Sequence, residues 1–233
     1  MEFGDKTRHN AFYNVTRRLG NGTMDDEEEE EGEVVEDEDD GAPLSAKQTW
    51  LRNKAERWTT KKKFVVYTSW KKMGVRLVVQ AIESKVDSFA IIDGSVSARD
   101  RTDIVDRYNN NEIQCLIFTA AGAEGISLTS TSYVVLFDAA WTGARLEQAL
   151  ARAIRARSHD AWPPEERRVH VYQLILRRNA RTDAQMTAIV EERELDEKLL
   201  EDLSADERLC RYVAEKDQKV DCALKVLRES VPV

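Results

Sequence analysis

Short runs of apolar residues alternate along this chain with longer segments in which apolar positions recur every three or four residues. A run that is apolar throughout is typical of a strand buried on both faces, whereas the longer spacing is typical of an amphipathic helix. The runs at residues 64–67, 89–92, 115–118 and 133–137 predict four strands, and a fifth is predicted at 169–176. The chain is therefore expected to alternate strands and helices.

Helices are predicted in the segments between these strands. Ser45 is a suitable N-cap for a helix ahead of the first strand, and Ser97 with Asp100 offers a capping box for another. The second of these helices extends over residues 98–109, and a further helix is predicted at 72–84. Such alternation predicts an α/β fold with a parallel sheet, right-handed crossovers, helices on both faces and ligands at the C-terminal ends of the strands.

Charge divides the chain into unequal parts. Its 233 residues suffice for one domain with appendages, and a hydrophobic content of 42% can fill a core. Residues 25–40 contain 13 acidic residues and no basic one, which predicts a disordered acidic linker. Without them, 30 acidic and 35 basic residues give a net charge of about +5 instead of −8. We divide the chain into a lead-in segment (1–23), the linker (24–43), an α/β lobe (44–178) and a helical C-terminal extension (179–233).

Several classes of protein are not expected from this sequence. The apolar runs fall short of the roughly 18 residues that a membrane span needs, and the first ten residues lack the apolar segment of a signal peptide. The three cysteines and three histidines show no metal-ligand or disulfide-framework spacing. We expect an intracellular protein that binds no metal through its own residues and does not associate with membranes.

Three polar residues share one face of the helix predicted after the fourth strand. Gln148, Arg152 and Arg155 are separated by four and then three residues, which is one helical turn each time. Two guanidiniums one turn apart can bind a phosphate group through paired, charge-assisted hydrogen bonds. A solvated arginine face has the same spacing, so this helix alone does not distinguish the two interpretations.

Hydroxyl-bearing residues and glycines follow the predicted strands, where a parallel sheet places its ligands. Thr68 follows the first strand, Ser95 the second, and Thr119 and Gly122 the third. Hydroxyls and backbone amides along one edge suit contacts to a nucleic-acid backbone, which carry no base information. The same residue types are ordinary components of strand-to-helix turns, and a structural role is the simpler explanation for any one of them alone.

The order of these elements resembles motifs V and VI of superfamily 2 helicases, in particular those of the SWI/SNF-related group. The resemblance rests on the segment from Thr119 to Ile126, on Asp138-Ala-Ala-Trp141 after the next strand, and on Gln148-Ala-Leu-Ala-Arg152-Ala-Ile-Arg155. The run from Arg152 to His159 is similar to that in helicases of large cytoplasmic DNA viruses. The similarity extends over about residues 45–176.

This resemblance implies that the chain contains the C-terminal RecA-like lobe of such a helicase. In the family, ATP with Mg²⁺ binds between two RecA-like lobes and is held mainly by the first. Arg152 and Arg155 would be arginine fingers, and Gln148 and Gly125 would lie at the nucleotide. The residues that would contact the backbone of DNA, or of RNA, are Thr68, Ser95, Thr119 and Gly122.

The implied function is that of the second motor lobe of an ATP-dependent DNA helicase or translocase. The P-loop and the acidic Mg²⁺-binding motif of a first lobe do not occur in this sequence, so the partner lobe would lie elsewhere in a longer chain or in another chain. Without it, no ATP hydrolysis is expected. A solitary lobe that acts as a nucleic-acid or protein adaptor is the alternative from a different class. A viral protein of this kind would be found in the virion or in the host cytoplasm or nucleus.

The C-terminal extension has a charged, helical pattern from Arg181 onward. Leucines at 195, 199 and 203 form a stripe, and Ser204 with Glu207 offers a capping box for a further helix. Such a stripe predicts a packing surface, although a brace against the first lobe or a face for a partner would have the same pattern. The acidic linker is either solvated or a polyanion that competes with nucleic acid for the phosphate-binding edge.

Overall fold

The computed structural model describes residues 43–58, 62–122, 125–139, 143–177 and 203–230. The predictions for the lead-in segment, for the acidic linker up to residue 42 and for the leucines at 195 and 199 lie outside these ranges. Within them, five strands form one sheet in the order β2-β3-β1-β4-β5, and every neighbouring pair is parallel. The predicted parallel α/β fold is therefore confirmed.

The described elements follow the predicted alternation. The strands are β1 (Lys63–Tyr67), β2 (Phe89–Ile92), β3 (Cys115–Phe118), β4 (Thr131–Leu136) and β5 (His170–Gln173). The helices are α1 (Ala46–Arg57), α2 (Leu77–Ile82), α3 (Ala98–Asn109), α4 (Gly143–Ala153) and α5 (Ala205–Ser230). A π-helical turn (Lys71–Arg76) leads into α2, and a 3₁₀ turn (Pro164–Glu166) precedes β5. The fifth strand is shorter than predicted at both ends.

Two hydrophobic cores lie on opposite faces of the sheet, which explains why the strand runs are apolar throughout. Phe64 and Val66 of β1 face α1 and α2, in the core that also contains Leu51 and Val78. Val65 and Tyr67 belong to the other core, together with residues of α3 and α4 such as Tyr108 and Ala149. Because successive side chains of a strand point to opposite faces, the residues at both odd and even positions must be apolar.

The helix starts follow the predicted capping chemistry. The Ser45 hydroxyl accepts a hydrogen bond from the Gln48 amide at 3.3 Å, and the Gln48 side chain accepts one from the Ser45 amide at 3.0 Å. At α3 the Ser97 hydroxyl accepts from the Asp100 amide at 3.2 Å, but the Asp100 carboxylate bonds the Ser97 hydroxyl and not its backbone. The first capping pair is reciprocal, and the second is half of the predicted box.

The C-terminal helix α5 is joined to the rest of the described structure at its first turn. The Ser204 hydroxyl donates to the Leu176 carbonyl oxygen at 2.6 Å, and the Leu176 amide donates to Asp206 at 2.9 Å. The Ser204 and Glu207 capping box is present in both directions. Leu203, the last residue of the predicted stripe, is buried. This end of the extension therefore packs against the segment after β5.

Lys63, the first residue of β1, is a buried lysine at the C-terminal end of α3. Its ammonium donates to the Tyr108 carbonyl oxygen at 2.7 Å and lies 4.5 Å from the centre of the Tyr108 ring. Burial nevertheless lowers the pKa of Lys63 from its ordinary value of 10.5 to about 8. The folded state therefore holds this proton less tightly than the unfolded chain does.

The stability of the fold should accordingly depend on pH through Lys63. Between pH 8 and 10.5 the unfolded chain binds more protons at this residue than the folded one, so the Lys63 contribution to the free energy of unfolding should rise with pH across this window. We compare the free energy of unfolding of wild type with that of Lys63→Met. Between pH 7 and pH 10.5 this difference should change by at most about 3 kcal/mol, in favour of wild type.

Urea denaturation of both proteins at several pH values measures this difference. Tyr108 and Cys115 are present in both proteins, so their contributions cancel in the difference. The matched control is Lys62→Met, which changes the neighbouring, exposed lysine. Its stability should run parallel to that of wild type at all pH values. Parallel curves for Lys63→Met as well would show that Lys63 keeps its ordinary proton affinity in the fold.

Candidate functional site

An open cavity of about 340 Å³ lies at the C-terminal ends of β1, β2 and β3. This is the edge at which a parallel sheet places its ligands. Three segments that are far apart in the sequence meet here, and their lining residues are Ser69, Lys71, Asp93, Gly94, Ser95, Thr119, Ala120 and Ala121. The structure thus brings together two of the four predicted nucleic-acid contacts, Ser95 and Thr119. We call this cavity the strand-end groove.

Asp93 organises the polar side of the strand-end groove. One carboxylate oxygen accepts hydrogen bonds from the amide and the hydroxyl of Ser95, and the other lies 3.2 Å from the Lys71 ammonium. Burial alone would raise the pKa of Asp93, but the hydrogen bonds from Ser95 and the charge of Lys71 outweigh it and lower the pKa below its ordinary value. Asp93 therefore stays ionised and keeps Lys71 at the groove, where the lysine side chain is 65% exposed.

Lys71 and Asp93 were not among the predicted site residues. Neither belongs to a distinctive spacing, and the contact between them joins loops 22 positions apart. The available signal was position: Lys71 follows the Tyr67-Thr-Ser-Trp segment at the end of β1, and Asp93 directly follows β2. A cation and a carboxylate at two strand ends of a parallel sheet are natural candidates for the same site.

Thr68 has a different contact from the predicted one. Its hydroxyl is fully buried and donates to the Asp138 carboxylate at 2.7 Å. The Ser69 amide donates to the same carboxylate at 3.0 Å, so Asp138 joins the loops that follow β1 and β4. The Thr68 side chain is thus not presented to the strand-end groove, and Ser69 lines the groove instead.

The loop after β3 turns closely over the end of β2. Gly122 is buried, and a Cβ atom at this position would lie 2.0 Å from the carbonyl oxygen of Ile92. Only glycine allows this approach, which gives Gly122 a structural role. The Thr119 hydroxyl accepts a long hydrogen bond (3.4 Å) from the Gly122 amide, and Thr119 is 8% exposed. Gly125 is exposed and has φ of +76°, a conformation that favours glycine.

The predicted arginine face is only partly helical. Gln148 is exposed on α4, and Arg152 is half-buried, with an Nε atom that has no hydrogen-bond partner within the described ranges. The helix ends at Ala153, so Arg155 lies in the following turn and not on the helix face, as the spacing had suggested. Its side chain is exposed to solvent.

Ser158 and His159 fix the backbone of this turn, and neither was predicted as a site residue. The Arg155 amide donates to the Ser158 hydroxyl at 3.2 Å, which in turn lies 2.8 Å from the Arg155 carbonyl oxygen. His159 is buried, with Nδ1 2.7 Å from the Ser158 hydroxyl and Nε2 2.8 Å from the carbonyl oxygen of Thr131. Because a carbonyl only accepts, Nε2 carries a proton. Arg155 thus has an anchored backbone and an exposed side chain.

Two further observations concern the described part of the chain alone. No group of histidine, cysteine, aspartate or glutamate residues in it has the arrangement of a metal site. No helix in it combines the length and the apolar content that a membrane crossing requires.

The profile of the helicase conserved C-terminal domain matches residues 47–157, which include α1, all strands but β5, and α4. Residues 47–157 belong to this helicase C-terminal domain family. The matched region also contains the strand-end groove and the turn of Arg155. The predicted resemblance to the C-terminal RecA-like lobe of superfamily 2 helicases is therefore confirmed at the level of this domain.

Relatives of this helicase C-terminal domain occur in large DNA viruses. The putative ATP-dependent RNA helicase L538 of Acanthamoeba polyphaga mimivirus is 32% identical over 111 residues, which is 48% of this chain and 25% of that protein. Nucleoside triphosphatase I of Melanoplus sanguinipes entomopoxvirus is 40% identical over 83 residues (34% of this chain and 13% of that protein). The termination factor NPH-I homolog of African swine fever virus is 34% identical over 100 residues (40% and 14%). The chain thus spans a quarter or less of the length of these relatives.

A solved structure shows the same fold. The C-terminal part of the Fun30 ATPase domain superimposes with a TM-score of 0.51 over 76% of this chain and 55% of that one, at 18% sequence identity. At this identity the likeness concerns the fold alone.

Proposed function

We propose that this helicase C-terminal domain is the second motor lobe of a viral ATP-dependent helicase or translocase of the SWI/SNF-related group, with DNA as its track. The observation that carries the proposal is the strand-end groove, in which an exposed cation is held beside hydroxyl groups and loop backbone at the edge of a RecA-like sheet. Such a lobe works with a first RecA-like lobe, in the same chain or another.

The strand-end groove is suited to a phosphate of a nucleic-acid backbone. Lys71 supplies a charge and the serines Ser69 and Ser95 supply hydroxyls, and Gly94 and Ala120 also line the cavity. None of these groups reads a base edge, so binding should be independent of sequence. Sequence-independent contact is what a motor that steps along a backbone needs.

The arginine turn is suited to the phosphates of ATP. The side chain of Arg155 is exposed, so its guanidinium can donate to phosphate oxygens, whereas the Nε atom of Arg152 is buried and has no hydrogen-bond partner within the described ranges. Gln148 and Gly125 are exposed and would lie at the nucleotide. When bound, ATP with Mg²⁺, held mainly by the first lobe, supplies the γ-phosphoryl group whose hydrolysis drives the motor. This chain would contribute stabilisation of the charge on that group.

Nucleic-acid binding by the 233-residue chain tests the groove directly. We expect weak binding of labelled single-stranded DNA in fluorescence anisotropy, equal for different sequences and falling as salt rises. Lys71→Ala should lower the affinity for every sequence and make the slope of log K against log salt smaller by about 0.7, which corresponds to one lost phosphate contact on a single strand. Ser95→Ala and Thr119→Ala should weaken binding uniformly as well.

The matched control is Lys62→Ala, which removes an exposed lysine at the opposite end of β1. Its affinity and salt slope should equal those of wild type. Equal losses in Lys62→Ala and Lys71→Ala would mean that only overall charge matters, and strong preference for one sequence would contradict backbone recognition. The same titrations with RNA of matching sequence decide between the two nucleic acids.

A further inference from the structure

The strand-end groove contains a cation and an anion that are paired with each other. Of the described residues that line it, only Lys71 and Asp93 carry a charge. The Lys71 ammonium lies 3.2 Å from one oxygen of the Asp93 carboxylate. The lining therefore has no net charge, and a phosphate that enters the groove meets a cation that already has a partner.

The two members of this ion pair differ in how firmly they are held. The Asp93 side chain is 9% exposed, and its other oxygen accepts hydrogen bonds from the Ser95 amide at 2.8 Å and from the Ser95 hydroxyl. The Lys71 side chain is 65% exposed, and its ammonium sits at the end of a flexible four-carbon stem. Lys71 can therefore turn towards another anion, whereas Asp93 stays in place.

A backbone phosphate in the groove and Asp93 seek the same ammonium. An ion pair with one largely exposed member is weak, because water and salt compete for its charges, so a phosphate can replace the carboxylate as the partner of Lys71. The carboxylate then remains in the groove, held by Ser95, and repels the phosphate. Both effects lower the affinity of the groove for a phosphodiester.

We propose that Asp93 competes with the backbone phosphate for Lys71 and thereby limits the affinity of the strand-end groove for nucleic acid. The inference rests on the function proposed for this groove and gives Asp93 a role opposite to that of Lys71. A motor lobe has to release the backbone at every step. A carboxylate beside the lysine favours release, because the freed ammonium regains a partner at once.

Asp93→Asn tests the competition in the 233-residue chain. The asparagine oxygen can still accept both hydrogen bonds from Ser95, so the substitution removes the charge and keeps the loop, which urea denaturation checks. In anisotropy titrations with labelled single-stranded DNA, the affinity should rise roughly five- to tenfold, and stopped-flow dissociation should slow accordingly. Asp93→Ser, a second neutral variant, should change the affinity in the same direction.

The matched control is Glu112→Gln, which removes one negative charge from an exposed ion pair with Arg107 (3.5 Å). Glu112 precedes the first residue of β3 by three positions and so lies at the edge of the sheet opposite the groove. Its affinity for DNA should equal that of wild type. Equal gains for Glu112→Gln and Asp93→Asn would mean that only net charge matters and would overturn the proposal.

The same substitution in a Lys71→Ala background isolates the exchange of partners. Without Lys71 the carboxylate can only repel the phosphate, so the gain from Asp93→Asn should be smaller than in wild type. An equal gain would leave repulsion alone, and a lower affinity of Asp93→Asn would mean that Asp93 positions Lys71 for the phosphate. Either result overturns the competition while the proposed function stands. Absence of DNA and RNA binding in wild type and Asp93→Asn alike would refute that function, and this inference with it.

Discussion

Replacing Arg155 by alanine should lower kcat for ATP hydrolysis by roughly 10³-fold or more, in an assembly of this chain with a P-loop lobe. The proposed role requires a guanidinium that reaches the γ-phosphoryl group in the transition state, and the Arg155 side chain is exposed while its backbone is anchored through Ser158. ATP binding should change little, because the contact forms mainly as charge develops in the transition state. Steady-state kinetics and nucleotide titration measure the two quantities separately.

Arg157→Ala is the matched control for this experiment. Arg157 lies in the same turn, has a side chain that is 89% exposed, and pairs with Asp160 at 3.1 Å. Its removal should leave kcat nearly unchanged. Full activity of Arg155→Ala would refute the finger assignment. ATP turnover by the 233-residue chain alone would refute the idea of a half-site, and an assembly that binds nucleic acid without any turnover would favour the adaptor.

The sheet was predictable because its signal is local and redundant. β1 and β3 are buried at every position, and apart from Lys63 all their residues are apolar, as burial on both faces requires. The cap at Ser45 was also predictable, since a capping box involves residues three positions apart. Elements that depend on neighbouring residues alone can be inferred from one sequence.

The position of the site could be predicted from the sequence, but the contacts of its individual residues were less predictable. The topology of a parallel sheet brings Ser95 and Thr119 to one edge, as expected. Thr68 and Ser69 both follow β1 and both carry a hydroxyl, so the sequence does not reveal which of them faces the groove. In the structure Asp138 accepts the hydroxyl of Thr68 but only the backbone amide of Ser69. Likewise, helical spacing placed Arg155 on a helix face because nothing in the local pattern marks the end of α4 at Ala153. In the structure the end of α4 is followed by a tertiary contact between the His159 ring and the Thr131 carbonyl oxygen.

The contact least accessible to sequence analysis is the ion pair between Lys47 and Asp206. The two residues are 159 positions apart, and each belongs to a helix that also carries exposed charged residues, such as Arg57 in α1 and Glu215 in α5. Their exposed fractions are 4% and 2%, and the carboxylate also accepts the Leu176 amide. The fold uses this pair to join α1, α5 and the segment after β5.

Asp206→Ala should therefore lower the free energy of unfolding by about 3–5 kcal/mol. The substitution removes the carboxylate that lies 2.8 Å from the buried Lys47 ammonium, and it also removes the acceptor of the Leu176 amide. The double variant Lys47→Met/Asp206→Leu should lose less than this single variant, because it removes both buried charges together. Urea denaturation followed by circular dichroism measures all three proteins.

Glu56→Ala is the control, because it measures how much an exposed ion pair contributes to the free energy of unfolding. Its partner Lys85 lies at a similar distance (3.1 Å), but the Glu56 side chain is 59% exposed. Water can solvate the remaining lysine there, so the loss should be at most about 1 kcal/mol. A loss for Asp206→Ala as small as that for Glu56→Ala would mean that water reaches Lys47. The C-terminal helix would then contribute little to the stability of the lobe, and α5 would have to be regarded as a separable appendage.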